Sequence, residues 1–309
     1  MMNSSDTTFI LAAYSEIGDI KYLYFTILLL LYIFTISANV ILIVVIYVER
    51  SLHEPMYFFL CSLSVNAIFG STALCPCLLT NILSDRHDIS GISCLVQVFF
   101  LNIYGQCEFS SLALMGYDRY LSICYPLQYN MIMTPAKVIM LIILSWLYPI
   151  CTFGIHFILT LQLPLCGRII EKVYCANYSI TKLSCIDTSI NNMYGLINLV
   201  SSTVLPVILI MYSYSIILKI CLRSSKESQA KALNTCTPHL VILINFFISA
   251  FFEIFQNRFD MSHVPHEVRI FLSVYFLIIP PLINPIIYGI RTKNISTRVK
   301  KCFLQKNNS

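Results

Sequence analysis

Charge is scarce in this chain. Acidic and basic residues together make up 11% of its 309 positions, where a soluble domain carries about 25%. Long stretches lack it altogether. No Asp, Glu, Lys or Arg occurs in Tyr22–Val48, Pro55–Ser84, Val138–Cys166, Thr188–Leu218, Ala232–Phe252 or Ile270–Ile290, and Ile89–Tyr117 holds one, Glu108. A bilayer-crossing helix needs about 20 mostly apolar residues, and each run supplies them. Helices are the expected form, because lipid leaves no partner for open backbone N–H and C=O groups. Tyr22–Val48 is too long, and too far from the N-terminus, for a signal peptide's apolar core, and reads as the first span. The expected fold is an all-α membrane protein: a seven-transmembrane helix bundle over 21–290, with a tail at 1–20 and a short amphipathic helix and tail at 291–309.

Other absences exclude activities. The two tails, roughly 20 and roughly 19 residues, are too short to bury a core, so no soluble catalytic domain is expected. No basic stretch is interleaved with aromatics, which argues against nucleic acid. No internal repeat and no line of intramembrane charges points to a transporter or channel. Glu108 has no evident acid or nucleophile–base partner, so an intramembrane enzyme is not expected. The His residues lack ligand spacing with the cysteines, so neither metal nor cofactor is expected.

Basic residues set the orientation. Seven spans put Arg50, Arg119, Lys137, Lys219, Arg223, Lys226, Lys231 and the Lys/Arg between Arg291 and Lys306 on one side. The other side holds the smaller set Lys21, Arg86, Arg168, Lys172, Lys182, Arg258 and Arg269. The positive-inside rule places the first set in the cytosol and the N-terminus outside. Of 13 cysteines, Cys94, Cys166, Cys175 and Cys185 then face the oxidising side, where four cysteines allow three pairings. Cys61, Cys75, Cys77, Cys107, Cys124, Cys151, Cys221 and Cys236, in or at the ends of spans, read as small buried apolar side chains. Asn3, Asn177 and Asn294 open glycosylation sequons. Asn3 is the better acceptor, Asn177 is hindered between cysteines, and Asn294 is cytosolic.

Four segments carry a resemblance: Leu52-His53-Glu54-Pro55-Met56-Tyr57, Met115-Gly116-Tyr117-Asp118-Arg119-Tyr120, Lys231-Ala232-Leu233-Asn234-Thr235-Cys236-Thr237-Pro238-His239, and Pro281-Leu282-Ile283-Asn284-Pro285-Ile286-Ile287-Tyr288. Each sits at the cytosolic end of an apolar run. In that order they resemble the odorant-receptor branch of the rhodopsin-like G-protein-coupled receptors, over nearly the whole chain. The resemblance implies an odorant ligand and a heterotrimeric G protein of the stimulatory, cAMP-raising type. It implies Cys94–Cys175 and Cys166–Cys185 as the disulfides. It assigns coupling and activation to Asp118, Arg119, Tyr120, Tyr214, Lys231, His239, Asn284, Pro285 and Tyr288. Asp118-Arg119 would be an ionic latch that opens to admit the G protein.

The ligand pocket implied lies in the extracellular half, at Leu101, Asn102, Gly105 and Gln106 on the third span. Leu199, Ser202 and Thr203 would join from the fifth span, Phe247, Ala250, Phe251 and Ile254 from the sixth, and Val274 and Leu277 from the seventh. Asn102 and Gln106 are candidate orienting donors in an otherwise apolar lining that disfavours a highly charged ligand. His156 and Glu253 lie toward the same end without an assigned role. Asn39, Glu108 and Asn284 form a candidate polar core, either helix-to-helix glue or a hydrated switch. The related receptors usually carry an acid on the second span, where this chain has Ala67 with Asn66 beside it. Glu108 would replace that charge, either protonated or as a weak sodium site, with Asn39 and Asn284 supplying hydrogen bonds. The variation at Leu63-Ser64-Val65-Asn66 and the Phe at 247 suggest a divergent, fish-like member. After Arg291, Ile295, Val299 and Phe303 alternate with basic residues as in a surface helix on the inner leaflet, with Cys302 a candidate palmitoylation site.

An amine receptor would want an acid near Leu101, and a retinal protein a lysine in the seventh run; neither is present. The remaining alternatives are a non-olfactory chemosensory receptor on the same scaffold, or an ion-conducting seven-helix protein.

Overall fold

The computed structural model describes residues 8–14, 20–258 and 263–291. The apolar runs become α1 (Lys21–Val48), α2 (Pro55–Leu83), α3 (Gly91–Cys124), α5 (Pro135–Leu161), α7 with α8 (Ser189–Leu199 and Leu205–Cys221), α9 (Lys226–Arg258) and α10 (His266–Arg291). Two short helices lie in loops, α4 (Tyr129–Ile132) and α6 (Asn177–Thr181). Six of the helices are long and apolar enough to cross a membrane, and α10 contains the shorter apolar stretch Val274–Gly289. The fold is a seven-helix transmembrane bundle, its fifth span made by α7, a π-helical turn at Val200–Val204, and α8.

Helix starts follow local chemistry. Pro55 and Pro135 occupy the first turns of α2 and α5, where a missing N–H costs nothing. Ser90 caps α3 by accepting the Ser93 N–H at 3.2 Å. Pro285 inside α10 leaves the carbonyl of Pro281 without its helical donor. Asn39 of α1 supplies one, its Nδ2 donating to Pro281 O at 3.0 Å and to Thr35 O at 2.9 Å. A buried asparagine thereby staples α1 to α10.

α3 is the central helix and packs against α2, α5, α8 and α9. One core lies toward the disulfide end, around Leu74, Val98, Tyr104 and Phe153. A second lies toward Arg119, around Leu60, Phe109, Met115 and Phe246. Large apolar side chains such as Leu30, Phe34, Ile143 and Leu147 face outward, an arrangement suited to lipid rather than water. Gly70 lets α2 approach α3. A Cβ there would lie 2.4 Å from Cδ2 of the buried Tyr104. Gly70→Ala is expected to destabilise the bundle by about 1–3 kcal/mol through overpacking. Thermal unfolding of the purified protein checks this, with Gly154→Ala as control, since nothing lies within 4 Å of a Cβ there.

Part of the segment read as a tail is structured. β1 (Thr8–Leu11) pairs antiparallel with β2 (Asp88–Ser90) and parallel with β3 (Ile169–Ile170). Phe9 and Leu11 are buried and Thr8 and Ile10 exposed, the period-2 pattern of a strand with one covered face. Tyr14 OH donates to Val173 O at 2.8 Å. This small sheet joins the first residues to both loops at the disulfide end. The Asn3 and Asn294 sequons, Cys302 and the helix expected after Arg291 lie outside the described residues.

Candidate functional site

The Cys94–Cys175 and Cys166–Cys185 disulfides both form. The first ties the long loop to the start of α3, and the Cys175 N–H donates to Gln97 Oε1 at 2.8 Å. The loop is thereby drawn into the bundle mouth. Beneath it lies a cavity of ≈ 240 Å³.

Ten of the expected pocket residues line it: Leu101, Asn102, Gly105, Gln106, Leu199, Ser202, Thr203, Ala250, Ile254 and Leu277. Three expectations need correction. Phe247 and Phe251 are 45% and 54% exposed on the outer face of α9 and do not line the cavity. The buried stripe of α9 runs through Phe246, Ala250 and Glu253, spaced i, i+4, i+7, and a residue one step along points about 100° away. Val274 lines a separate cavity of ≈ 580 Å³ among α1, α2 and α10.

The sequence reading missed the loop and α5. Tyr174, Ala176, Asn177, Tyr178 and Thr181 form the roof, and His156, Asn191, Gly195 and Asn198 one wall. His156 Nε2 lies 2.9 Å from Asn191 Oδ1 and 3.3 Å from Asn177 Nδ2. Asn191 Nδ2 donates to Thr160 Oγ1 at 3.2 Å. A Cβ on Gly195 would come within 2.9 Å of His156 Cε1, so the glycine makes room for the imidazole. The π-helical turn adds a residue to its helix, and Ser202 and Thr203 within it both line the cavity.

Glu253 closes the roof. Its Oε1 accepts from Lys172 Nζ at 2.6 Å and from Tyr174 OH at 2.5 Å, and the Lys172 ammonium lies 5.3 Å from the Tyr174 ring centre. Burial first, then the Glu253 charge and hydrogen bond, hold the Tyr174 hydroxyl well above the ordinary tyrosine range, so it donates as a neutral phenol.

At the opposite end, Arg119 pairs with its neighbour. Its Nη2 and Nε donate to Asp118 Oδ2 at 2.5 and 3.1 Å. Asp118 is fully buried, and Tyr129 OH of α4 donates to its other oxygen at 2.6 Å. Tyr120 OH reaches Tyr125 OH at 3.4 Å. Tyr214 is hydrogen-bonded to His239 Nδ1 and stacked on its ring. Tyr288 and Pro285 are buried beside this layer. Lys231 lies on α9, and its side chain is outside the described residues.

The polar core differs from expectation. Asn66, rather than Asn39 or Asn284, serves Glu108: its Nδ2 donates to Glu108 Oε1 at 3.3 Å and to Tyr104 O at 2.9 Å. Asn39 is committed to Pro281. Both polar atoms of the Asn284 side chain are without a hydrogen bond among the described residues. Among the described residues no three His, Cys, Asp or Glu side chains group as metal ligands.

The family model described as "Olfactory receptor" matches residues 28–306. The chain belongs to the olfactory-receptor family. It is 37% identical over 273 residues to human olfactory receptor 52Z1P, covering 87% of this chain and 90% of that one. It is 34% identical over 304 residues to human olfactory receptor 2G6, covering 98% and 95%. To the dog olfactory receptor-like protein OLF3 it is 32% identical over 289 residues, covering 93% and 90%. The molecule is thus a multi-pass membrane receptor of the G-protein-coupled class, and odorant binding and G-protein coupling follow from membership.

For this olfactory receptor the second sequon has a structural answer. Asn177 is buried at the cavity roof, where a glycan has no room. We expect no glycan at Asn177. Glycosidase treatment and peptide mass mapping of the expressed receptor check this, and a modified Asn177 in the folded protein would contradict the roof described.

Proposed function

We propose that a small odorant binds in the ≈ 240 Å³ cavity and that the receptor then activates a stimulatory, cAMP-raising G protein at the Arg119 end. The receptor sits in the plasma membrane with its N-terminus outside, and acts by binding and change of shape rather than catalysis. The observation that carries this reading is the cavity itself, roofed by a disulfide-tied loop and lying at the opposite end of the bundle from the Asp118–Arg119 pair. The orientation is supported by the two disulfides, which persist on an oxidising side, and by the basic loops at the other end.

Asp118, Arg119 and Tyr129 keep the cytosolic face closed. Tyr214, His239, Asn284, Pro285 and Tyr288 form the layer that rearranges, with Tyr120 and Lys231 at its rim. Buried oxygens without hydrogen-bond partners among the described residues, on Asn39, Asn66, Glu108, Ser111 and Asn284, support a hydrated core with a weak sodium site at Glu108. Cells expressing the receptor with and without a stimulatory alpha subunit, exposed to an odorant panel, give the test. An odorant-dependent cAMP rise that needs the subunit is expected. A response that persists as membrane current without any G protein would refute the reading.

A further inference from the structure

The hydrogen bonds of the cavity wall do not close on themselves. Asn191 Nδ2 donates to Thr160 Oγ1, whose own hydrogen goes to His156 O at 3.2 Å. That chain fixes the Asn191 amide with Oδ1 toward the imidazole. His156 Nε2 must then carry its hydrogen and donate it to Asn191 Oδ1 at 2.9 Å. The Asn177 Nδ2, 3.3 Å from the same nitrogen, therefore faces a donor. Its Oδ1 is buried without a hydrogen-bond partner among the described residues. Turning the amide over lets Oδ1 accept from the imidazole but strands Nδ2 instead. In either orientation Asn177, 8% exposed and lining the cavity, is at least one partner short: both amide atoms in the first, Nδ2 in the second. A buried amide without its partner is destabilising by more than a hydrogen bond is stabilising, so the site is suited to receive one.

The rest of the lining bounds the charge of that partner. Among the described residues that line the cavity there is no Lys or Arg. The one carboxylate there, Glu253, already accepts from Lys172 and Tyr174. A ligand carboxylate or ammonium would be buried without a free counter-ion. A hydroxyl can both donate and accept, and so satisfies Asn177 in either amide orientation.

We propose that the receptor takes an uncharged alcohol, its hydroxyl seated on Asn177 beside His156, its hydrocarbon against Leu101, Phe109 and Ala250. This rests on the cavity being the odorant site. The test uses the full chain in cells with a cAMP readout, straight-chain alcohols from butanol to octanol, and hexanoate and hexylamine as charged counterparts. An alcohol of this series is expected to activate, and the charged compounds are not. Asn177→Ala and Asn177→Ser should each weaken alcohol potency about tenfold, the size of one lost buried hydrogen bond. The loss should fall on alcohol potency, with maximal response and surface display kept, a split that a merely structural role would not give. If neither variant reaches the surface, Gly195→Ala, which crowds His156, should produce the same loss. Preference for hexanoate or hexylamine overturns the proposal, as does unchanged alcohol potency in these variants. A receptor deaf to the alcohols but responsive to another odorant class overturns it while leaving the cavity reading intact. Failure to respond to any odorant, with normal display and basal coupling, removes both.

Discussion

Arg119→Ala is expected to bring odorant-stimulated cAMP down to the level of cells without receptor, while leaving surface display intact. Arg119 is the cation of a buried pair, held at 2.5 Å by a carboxylate with no solvent exposure. Its removal takes away the group that the coupling reading requires at the cytosolic face. It does not touch the cavity, which lies among the loop and the other halves of α3, α7 and α9. Asp118 keeps the Tyr129 hydrogen bond, so the carboxylate is not left bare. Arg119→Lys is the companion variant: it retains the charge, loses the two-point contact, and should signal weakly. Full signalling by Arg119→Ala at normal surface levels would sink the role given to this residue.

The second large effect is expected at the roof. Lys172 and Tyr174 belong to the loop that Cys175 bonds to α3, and both grip Glu253 on α9. This tie coexists with a closed Asp118–Arg119 layer, so it stabilises the closed arrangement relative to any in which α9 has shifted against α3. Hydrogen bonds to a charged group contribute about 1.5–3 kcal/mol. Glu253→Gln should therefore raise odorant-free cAMP about tenfold in receptor-normalised terms. Lys172→Met should do likewise, and the double variant should fall well short of the sum of the two, because both changes remove the same Lys172–Glu253 ion pair. Additive effects, or unchanged basal signal in all three, would show that the roof does not restrain α9.

Apart from the two disulfides, which the family resemblance implied, what could be read from sequence was whatever depends on one helix at a time. The uncharged runs marked the spans because lipid tolerates little else. Asp118-Arg119 and the Tyr214 and His239 positions were legible through motifs. The unreadable parts depend on which way a side chain points or on contacts across long separations. Phe247 and Phe251 are one residue off the inward stripe of α9, a difference that needs the helix phase. The π-helical turn at Val200–Val204 has no compositional mark. Asn66 sits next to the expected position, and its bond to Glu108 spans two helices. Asn177 was noticed as a sequon and His156 as a stray polar group, and nothing along the chain says that they meet.

The strand at Thr8–Leu11 has a consequence for how the receptor is made. Its neighbours are residues 88–90 and 169–170, so it leaves the ribosome first and finds its second partner only after the fourth span is complete. At roughly 5–20 residues per second, that wait is on the order of ten to thirty seconds. Until then Phe9 and Leu11, buried in the finished molecule, belong to a strand that lacks one of its two neighbours. Completion of the three-stranded sheet therefore follows synthesis of the fourth span and is a late step in the making of the receptor.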